Sequence, residues 1–289
     1  MEIRSPMDAV ELSRIRAIGE KVLQLQKEGR DVIRLQIGEP DFCTPKHIIE
    51  AAKAAMDRGE THYAPNRGLL SLREEISKKL RRDNGIQADP AAEIMVTSGC
   101  AEGLYAAFMG LVMPGDEVII IEPAYISYLQ LTRAAHATPV FVRAKEENGW
   151  LPDMGELRAA VTEKTKMLVL NSPSNPTGVV YPRKLLEEIA ALAREKDFLV
   201  LSDEVYEKLI YDGAEHVSIA SLDGMWERTI TINGFSKAFA MTGWRMGYLA
   251  ANPDLFLPML KVHQLSVASS NVIAQNAAIT ALRAGEETV

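Results

Sequence analysis

The apolar residues in the N-terminal part of the chain are spaced as in helices. Residues 8–28 place Val10, Leu12, Ile15, Ile18, Val22 and Leu25 mostly three or four positions apart. This spacing predicts a helix that ends near Gly29. The segments that follow are an extended piece at 31–42 that breaks at Gly38 and Pro40, a helix near 45–57, the loop THYAPNRG at 61–68 and a helix near 69–83.

From residue 93 onward, short runs rich in β-branched residues alternate with helical patterns. The predicted strands lie at 93–98, 117–121, 138–143, 166–171, 198–202, 229–233 and 246–250. Predicted helices lie between most of them, at 101–112, 125–135 and 183–196. Strands alternating with helices indicate an α/β fold in which a mainly parallel seven-stranded sheet is covered on both faces.

The last predicted strand differs from the others in its connection. About a dozen residues join 229–233 to 246–250, and they show no helical pattern. A parallel return needs a longer crossover, usually a helix. The final strand is therefore expected to run antiparallel.

Composition and charge narrow the class of protein. The 289 residues are 47% hydrophobic with a formal net charge of −7, so no basic surface argues for a nucleic-acid partner. The chain contains neither a long uninterrupted apolar run nor a signal-peptide pattern, which argues against a membrane partner. Cys43 and Cys100 form no metal or redox motif, and reduced thiols fit a cytoplasmic protein without a metal.

Candidate chemistry lies where the predicted strands end, because ligands of open α/β sheets bind beyond the carboxyl ends of the strands. The first strand turns through Gly99 into a helix, a geometry that binds anions at backbone N–H groups. An ordinary strand–helix turn explains the same residues. The sequence has neither a Walker-type phosphate loop nor a GxGxxG fingerprint, which argues against nucleotides.

Two further strand ends carry polar side chains. In NSPSNPTG, Asn175 stands before Pro176 in an extended loop that presents its amide, although for this stretch alone a simple turn is the better explanation. In SDEVY, Asp203 follows an apolar strand, with Tyr206 three residues later. Such a carboxylate is either partly buried and paired with a cationic or protonated group, or a helix N-cap.

The segment NGFSKAFAMTGWRMG places Lys237 among apolar residues and Arg245 eight positions later. Apolar surroundings favour the neutral amine, which can attack a carbonyl to form a Schiff base. An arginine fork suits a phosphate. A snorkelling lysine and a surface arginine are the alternative for each residue alone. Together, the four strand ends supply what pyridoxal 5'-phosphate requires: an anion cradle, an amine, a carboxylate for the ring nitrogen and polar donors.

The ordered set of motifs IGEPDF, YAPNRGLLSLRE, TSGCAEGL, NSPSNPTG, SDEVY and SKAFAMTGWRMGY resembles the class I/II aminotransferases of fold type I over nearly the whole chain. The aspartate, aromatic and alanine aminotransferase branch is the most similar. The resemblance implies a pyridoxal-phosphate enzyme that moves an amino group between an L-amino acid and a 2-oxo acid by a ping-pong mechanism. Other fold-type I activities, namely β-lyase, decarboxylase or synthase, are the alternative, since fold and cofactor do not separate them.

The resemblance also implies roles for individual residues. Lys237 would hold the cofactor covalently and shuttle the proton, Asp203 would pair with the ring nitrogen, and Asn175 and Tyr206 would hold the phenolic oxygen. The phosphate would be bound by Gly99, Cys100, Ala101, Ser236 and Arg245, with Tyr63 reaching the phosphate of a second subunit in a homodimer. Tyr125 would stack on the ring, and Gly38 and Asn175 would border the substrate.

Two features depart from the family pattern. Gly234 stands where many relatives have a hydroxyl, so one phosphate contact is expected to be missing. Family members are also usually longer. We therefore expect residues 1–44 to form an arm and the start of a small domain, and 45–289 to form the large domain, with 253–284 beginning the linking helices. If the chain is complete as given, cofactor binding is expected to survive while transamination is severely weakened.

Overall fold

The apolar segments from residue 94 onward pair into one seven-stranded sheet in the computed structural model, which describes residues 5–11 and 14–289. The strands are β1 (Ile94–Thr97), β2 (Glu117–Glu122), β3 (Thr138–Arg143), β4 (Thr165–Asn171), β5 (Leu199–Asp203), β6 (Thr229–Gly234) and β7 (Gly247–Ala251). Their order across the sheet is β1-β7-β6-β5-β4-β2-β3. Strands β2 to β6 pair in parallel, and β7 is antiparallel to both of its neighbours, β1 and β6.

The predicted direction of the last strand is confirmed, and the connection explains it. The chain between β6 and β7 forms turns and one short 3-10 helix, Thr242–Trp244. Such a segment cannot carry the chain back across the sheet for a parallel pairing. As a result, the loop that contains Lys237 folds back directly at the end of β6.

Nine α-helices in the described part of the chain surround the sheet. They are α1 (Arg14–Lys27), α2 (Lys46–Asp57), α3 (Leu70–Lys79), α4 (Cys100–Leu111), α5 (Ile126–Ala134), α6 (Met154–Ala160), α7 (Arg183–Lys196), α8 (Pro253–Ser266) and α9 (Val272–Ala284). One face of the sheet packs on α4, α5 and α8. The other face packs on α6 and α7 at one end and on α2, α3 and α9 near β1 and β7.

Alternation along each strand explains why both faces are covered. In β1, Ile94 and Val96 belong to the core with α3 and α9, while Met95 between them belongs to the core with α4. Successive side chains of a strand point to opposite faces. A strand with apolar side chains on both faces therefore needs helices on both sides of the sheet. The helices lie on both sides, and the predicted α/β fold is confirmed.

The N-terminal helix differs from its prediction. The pattern at 8–28 predicts one helix, but a 3-10 turn covers Pro6–Ala9, Val10 is extended and α1 begins at Arg14. Leu12, part of that pattern, lies outside the described residues. The predicted end is correct, because Gly29 has a φ of 80° and the N–H of Arg30 bonds to the carbonyl of Leu25 beyond the helix.

Among the described residues, no helix combines the length and the apolar character that crossing a membrane requires.

Candidate active site

The carboxyl ends of β1, β4, β5 and β6 lie at one edge of the sheet, because these strands share a direction. The residues that follow them are the ones selected from the sequence. Gly99 follows β1, Asn175 lies in the loop after β4, Asp203 ends β5, and Lys237 lies in the turn after β6. The sheet therefore gathers four segments that are far apart in sequence.

The turn from β1 into α4 forms a cup beneath Arg245. Gly99 has a φ of 75°, and a Cβ atom at this position would lie 2.5 Å from Nη2 of Arg245. Cys100 and Ala101 follow as the first residues of α4, whose N–H groups have no partner within the helix. Only a glycine therefore lets the guanidinium approach this helix start.

The glycine that departs from the family pattern also has a physical reason in this chain. A Cβ atom at Gly234 would lie 2.8 Å from Sγ of Cys100 and 3.0 Å from the carbonyl oxygen of Met246. Gly247 is equally constrained, since its Cβ would lie 2.7 Å from the backbone nitrogen of Cys100. β6, β7 and the start of α4 are thus too close for a side chain at position 234.

Asp203 is buried at the end of β5 and has a protonated partner. Its Oδ2 accepts a hydrogen bond of 2.8 Å from the hydroxyl of Tyr128, and its Oδ1 accepts one of 3.3 Å from the N–H of Val205. Burial raises the pKa of Asp203 to about 6, although these two hydrogen bonds work in the opposite direction. The segment after Asp203 is a turn rather than a helix, so the N-cap alternative is wrong.

Asn175 and Tyr206 face each other beside this carboxylate. The amide nitrogen Nδ2 of Asn175 lies 3.4 Å from the Tyr206 hydroxyl. Asn171 holds the arrangement: its Oδ1 accepts from the backbone N–H of Asn175 at 2.7 Å, and its Nδ2 donates to the carbonyl of Asp203 at 2.9 Å. Burial raises the pKa of the Tyr206 hydroxyl to about 12, and the charge of Asp203 adds to this effect.

Lys237 extends its amine into the space between these groups. The side chain is half-buried, and Nζ lies 5.8 Å from the centre of the Tyr206 ring. Nζ also donates a hydrogen bond to the carbonyl of Gly38. Burial lowers the pKa of the Lys237 amine, Glu39 opposes this effect, and Arg245 adds to it. Lys237 is thus less exposed than a simple surface lysine, whereas Arg245 is exposed.

The segment 38–44 lies against the Lys237 loop. Besides the contact of Gly38, Glu39 accepts a hydrogen bond from Thr242. The hydroxyl of Thr44 donates a hydrogen bond to the carbonyl of Ala240 and accepts one of 2.9 Å from Nε1 of Trp244. These bonds place Gly38 at the mouth of the site although it stands about 200 residues before Lys237.

The remaining predicted residues lie at different distances from this centre. Ser236 is buried next to Lys237, and its carbonyl accepts from the N–H of Met241. Tyr125 precedes α5 and packs edge-on against Tyr128, with ring centres 5.6 Å apart. Tyr63 lies apart from the other residues: it is 93% exposed, on the loop between α2 and α3.

Sequence reasoning missed Tyr128 and Asn171. Asn171 shows the same signal as Asp203, a polar residue at the end of an apolar strand, and could have been selected on that ground. Tyr128 gives no comparable signal, because it lies on a helix and reaches Asp203 only through the packing of α5 on the sheet.

The residues present fit a cofactor that carries a phosphate and an aldehyde. The cup at Gly99 leaves the room that a Cβ would fill, directly under a guanidinium. The lowered pKa of Lys237 favours the neutral amine that attacks an aldehyde. The buried carboxylate of Asp203 suits a protonated ring nitrogen.

Comparisons with known proteins agree with this chemistry. The family model for aminotransferase class I and II matches residues 30–289. The chain is 49% identical over 283 residues to an aspartate aminotransferase of Pyrococcus abyssi, which covers 98% of this chain and 72% of that protein. It is 45% identical to aromatic-amino-acid aminotransferase 2 of Thermococcus litoralis, with the same two coverages.

Solved structures show the same similarity. The aspartate aminotransferase of Thermus thermophilus, solved with maleate, superposes with a TM-score of 0.95 at 43% identity. The match covers all of this chain and 76% of that one.

Proposed function

Because the chain belongs to the aminotransferase class I and II family, whose members use pyridoxal 5'-phosphate, we propose that the sheet edge around Lys237 is the place where this cofactor binds and reacts. The chain is a pyridoxal-phosphate-dependent aminotransferase that moves an amino group between an L-amino acid and a 2-oxo acid. The observation that carries the assignment of the site is the half-buried amine of Lys237 beside the Tyr206 ring, with a lowered pKa.

When bound, the cofactor supplies an aldehyde that condenses with amines and a ring that withdraws electrons from the bond being broken. Lys237 would be the residue that joins the aldehyde. Its Nζ would also take a proton from the substrate and return it, since a neutral amine at this position is a general base. Gly38, which accepts from Nζ, would border the substrate carboxylate together with Asn175.

Asp203 would hold the proton of the cofactor's ring nitrogen. A buried carboxylate has little water to stabilise its charge, so a protonated ring nitrogen beside it forms a strong charge-assisted bond. Asn175 and Tyr206 would donate to the phenolic oxygen, and the 3.4 Å distance between Nδ2 of Asn175 and the Tyr206 hydroxyl supports this shared role. Tyr125, packed against Tyr128, would cover the ring.

The cup would hold the phosphate. Its donors would be the N–H groups of Gly99, Cys100 and Ala101 at the start of α4, with the side chains of Ser236 and Arg245. Because position 234 has no room for a side chain, these groups bind the phosphate without a hydroxyl there. Tyr63, which is exposed, would reach the phosphate of a second copy in a homodimer.

Aspartate is the amino donor we favour. Relatives at 42–49% identity are named aspartate aminotransferases, and the Thermus thermophilus neighbour was solved with maleate, a dicarboxylate. An aromatic donor is the second candidate, because the Thermococcus litoralis relative is named for aromatic amino acids.

We further propose a cytoplasmic location, where Cys43 and Cys100 stay free thiols. We also propose that the chain divides into an N-terminal arm to residue 44 and a cofactor domain from 45 to 289.

A half-reaction followed in the visible spectrum tests this proposal. The purified protein is loaded with pyridoxal phosphate, mixed with L-aspartate or L-phenylalanine, and the conversion of the aldehyde form of the cofactor to the amine form is recorded. Conversion with aspartate and release of the corresponding 2-oxo acid are expected. Release of carbon dioxide or of a β-elimination product, without the amine form, would assign the site to another reaction of this fold.

A further inference from the structure

His263 on α8 connects two segments of the proposed cofactor site. Its ring is completely buried, and each ring nitrogen contacts a different part of the chain. Nε2 lies 2.8 Å from the backbone carbonyl oxygen of Asn66, and Nδ1 lies 3.1 Å from Oε1 of Glu102. Asn66 belongs to the loop that carries Tyr63, and Glu102 belongs to the first turn of α4, directly after the cup.

The hydrogen bonds of His263 require a proton that a neutral imidazole does not have. A carbonyl oxygen only accepts, so the proton of a neutral ring must be on Nε2. Nδ1 would then direct its lone pair at the carboxylate of Glu102. The other oxygen of that carboxylate, Oε2, accepts from the backbone N–H of Ser98 at 3.1 Å. Both contacts of the ring are therefore hydrogen bonds only when a second proton lies between Nδ1 and Oε1.

Glu102 lies beside the cup, so the shared proton affects the charge near a bound phosphate. Its carboxylate bonds to Ser98, next to Gly99 of the cup, and its own side chain is only 9% exposed. An unneutralised carboxylate there would repel a phosphate in the cup, and burial would strengthen the repulsion. The proton shared with His263 cancels that charge.

α8 also fixes the loop of Tyr63 through a second contact. Nδ2 of Asn66 donates a hydrogen bond of 2.8 Å to the carbonyl of Ala268, which lies just after the end of α8. Of the charged side chains the structure describes, Glu102 is the one within ion-pair distance of His263. Arg67, from the same loop, lies over the ring of Phe256 two turns earlier on α8, 4.5 Å from its centre.

We infer that His263 is a positioning residue for the cofactor's phosphate: by sharing a proton with Glu102 and donating to Asn66, it holds the cup and the Tyr63 loop together and neutralises Glu102. This inference rests on the proposed function. It predicts that phosphate affinity falls when His263 is replaced by a residue that cannot share a proton with Glu102, because one hydrogen bond is lost and a buried negative charge remains beside the cup.

The experiment measures the dissociation constants of pyridoxal phosphate and of inorganic phosphate for the cofactor-free protein at one neutral pH, in the wild type and in variants of His263 and Glu102. Glu102→Gln should keep the wild-type affinity, because its amide donates to neutral Nδ1 while its oxygen still accepts from Ser98. His136→Asn, at an exposed histidine away from the site, should also keep the wild-type affinity.

His263→Gln keeps a donor for Asn66 but has no proton to share with Glu102, so phosphate binding at least about tenfold weaker than in the wild type is expected. Because this variant places an amide in a buried site, nitrogen NMR of the histidine rings in the wild type provides a second readout that does not depend on its folding or on bound cofactor. Glu102→Gln should shift the signal of the buried ring from two protonated nitrogens to one.

The outcomes separate the two claims. Wild-type phosphate affinity in His263→Gln, or an unprotonated Nδ1 in the wild-type ring at neutral pH, would overturn the role of His263 and leave the proposed function intact. A wild type that binds no pyridoxal phosphate would overturn the proposed function, while the ring signal would still report on His263 and Glu102.

Discussion

The hydroxyl of Tyr128 donates a hydrogen bond of 2.8 Å to the buried carboxylate of Asp203. This bond favours the charged form of Asp203, against the effect of burial. Tyr128→Phe is therefore expected to raise the pKa of Asp203 above its value of about 6. Carbon NMR of the Asp203 carboxyl in the cofactor-free protein, assigned with Asp203→Asn, measures the change. An unchanged titration would show that the Tyr128 bond does not control this carboxylate.

Asp203 should make the cofactor-free protein less stable as pH rises. The folded-state pKa of about 6 is above the ordinary 3.8, so the folded state binds the proton more tightly than the unfolded state. The free energy of unfolding should fall between about pH 4 and pH 6, by at most about 3 kcal/mol. Asp203→Asn should lack this decrease in urea titrations at several pH values. A parallel pH dependence in both proteins would contradict the assignment.

Lys79 and Lys78 are neighbours in sequence, but their substitution should affect the free energy of unfolding very differently. Lys79 is buried against Glu207, and its Nζ donates a hydrogen bond of 2.7 Å to Oδ1 of Asn84. The side chain of Lys78, in contrast, is 70% exposed. Lys79→Met removes the lysine charge from Glu207 and leaves that buried carboxylate only the Asn84 amide and His216, which it shares with Glu204. The substitution should lower the free energy of unfolding by about 3 kcal/mol. Lys78→Met should cost less than about 1 kcal/mol. Equal effects in urea denaturation would show that the buried ion pair contributes nothing.

Gly99→Ala tests the cup. The added Cβ would lie 2.5 Å from Nη2 of Arg245, and the residue would also be strained at a φ of 75°. Affinity for pyridoxal phosphate is expected to fall at least about tenfold, or about 1.4 kcal/mol. Gly115→Ala is the matched control, because Gly115 has a φ of 94° with open space around it. It should reduce stability alone, and an equal loss of cofactor affinity in both variants would refute the role of the cup.

The sequence predicted the sheet well and the details of the site unevenly. The seven strands and the antiparallel direction of the last one follow from apolar runs and the length of one connection, which are local properties. The N-terminal helix began later than predicted, because apolar spacing alone does not distinguish an extended Val10 from the first turn of a helix.

The site residues at strand ends could be predicted because parallel strands bring their carboxyl ends together. The partners of those residues could not. Tyr128 reaches Asp203 from α5, and His263 reaches Glu102 from a helix 161 residues later. These contacts depend on how helices pack on the sheet, which leaves no local pattern in the sequence. The crowding at Gly234 has the same origin, since Cys100 approaches it only in the folded chain.

The central claim is that Lys237 joins the cofactor covalently. The most direct measurement is to load the protein with pyridoxal phosphate, reduce it with borohydride, digest it and locate the modified lysine by mass spectrometry. We predict one modified peptide carrying the cofactor on Lys237, and no Schiff-base absorbance in Lys237→Ala. A modification on another lysine, with the absorbance retained in Lys237→Ala, would contradict this claim.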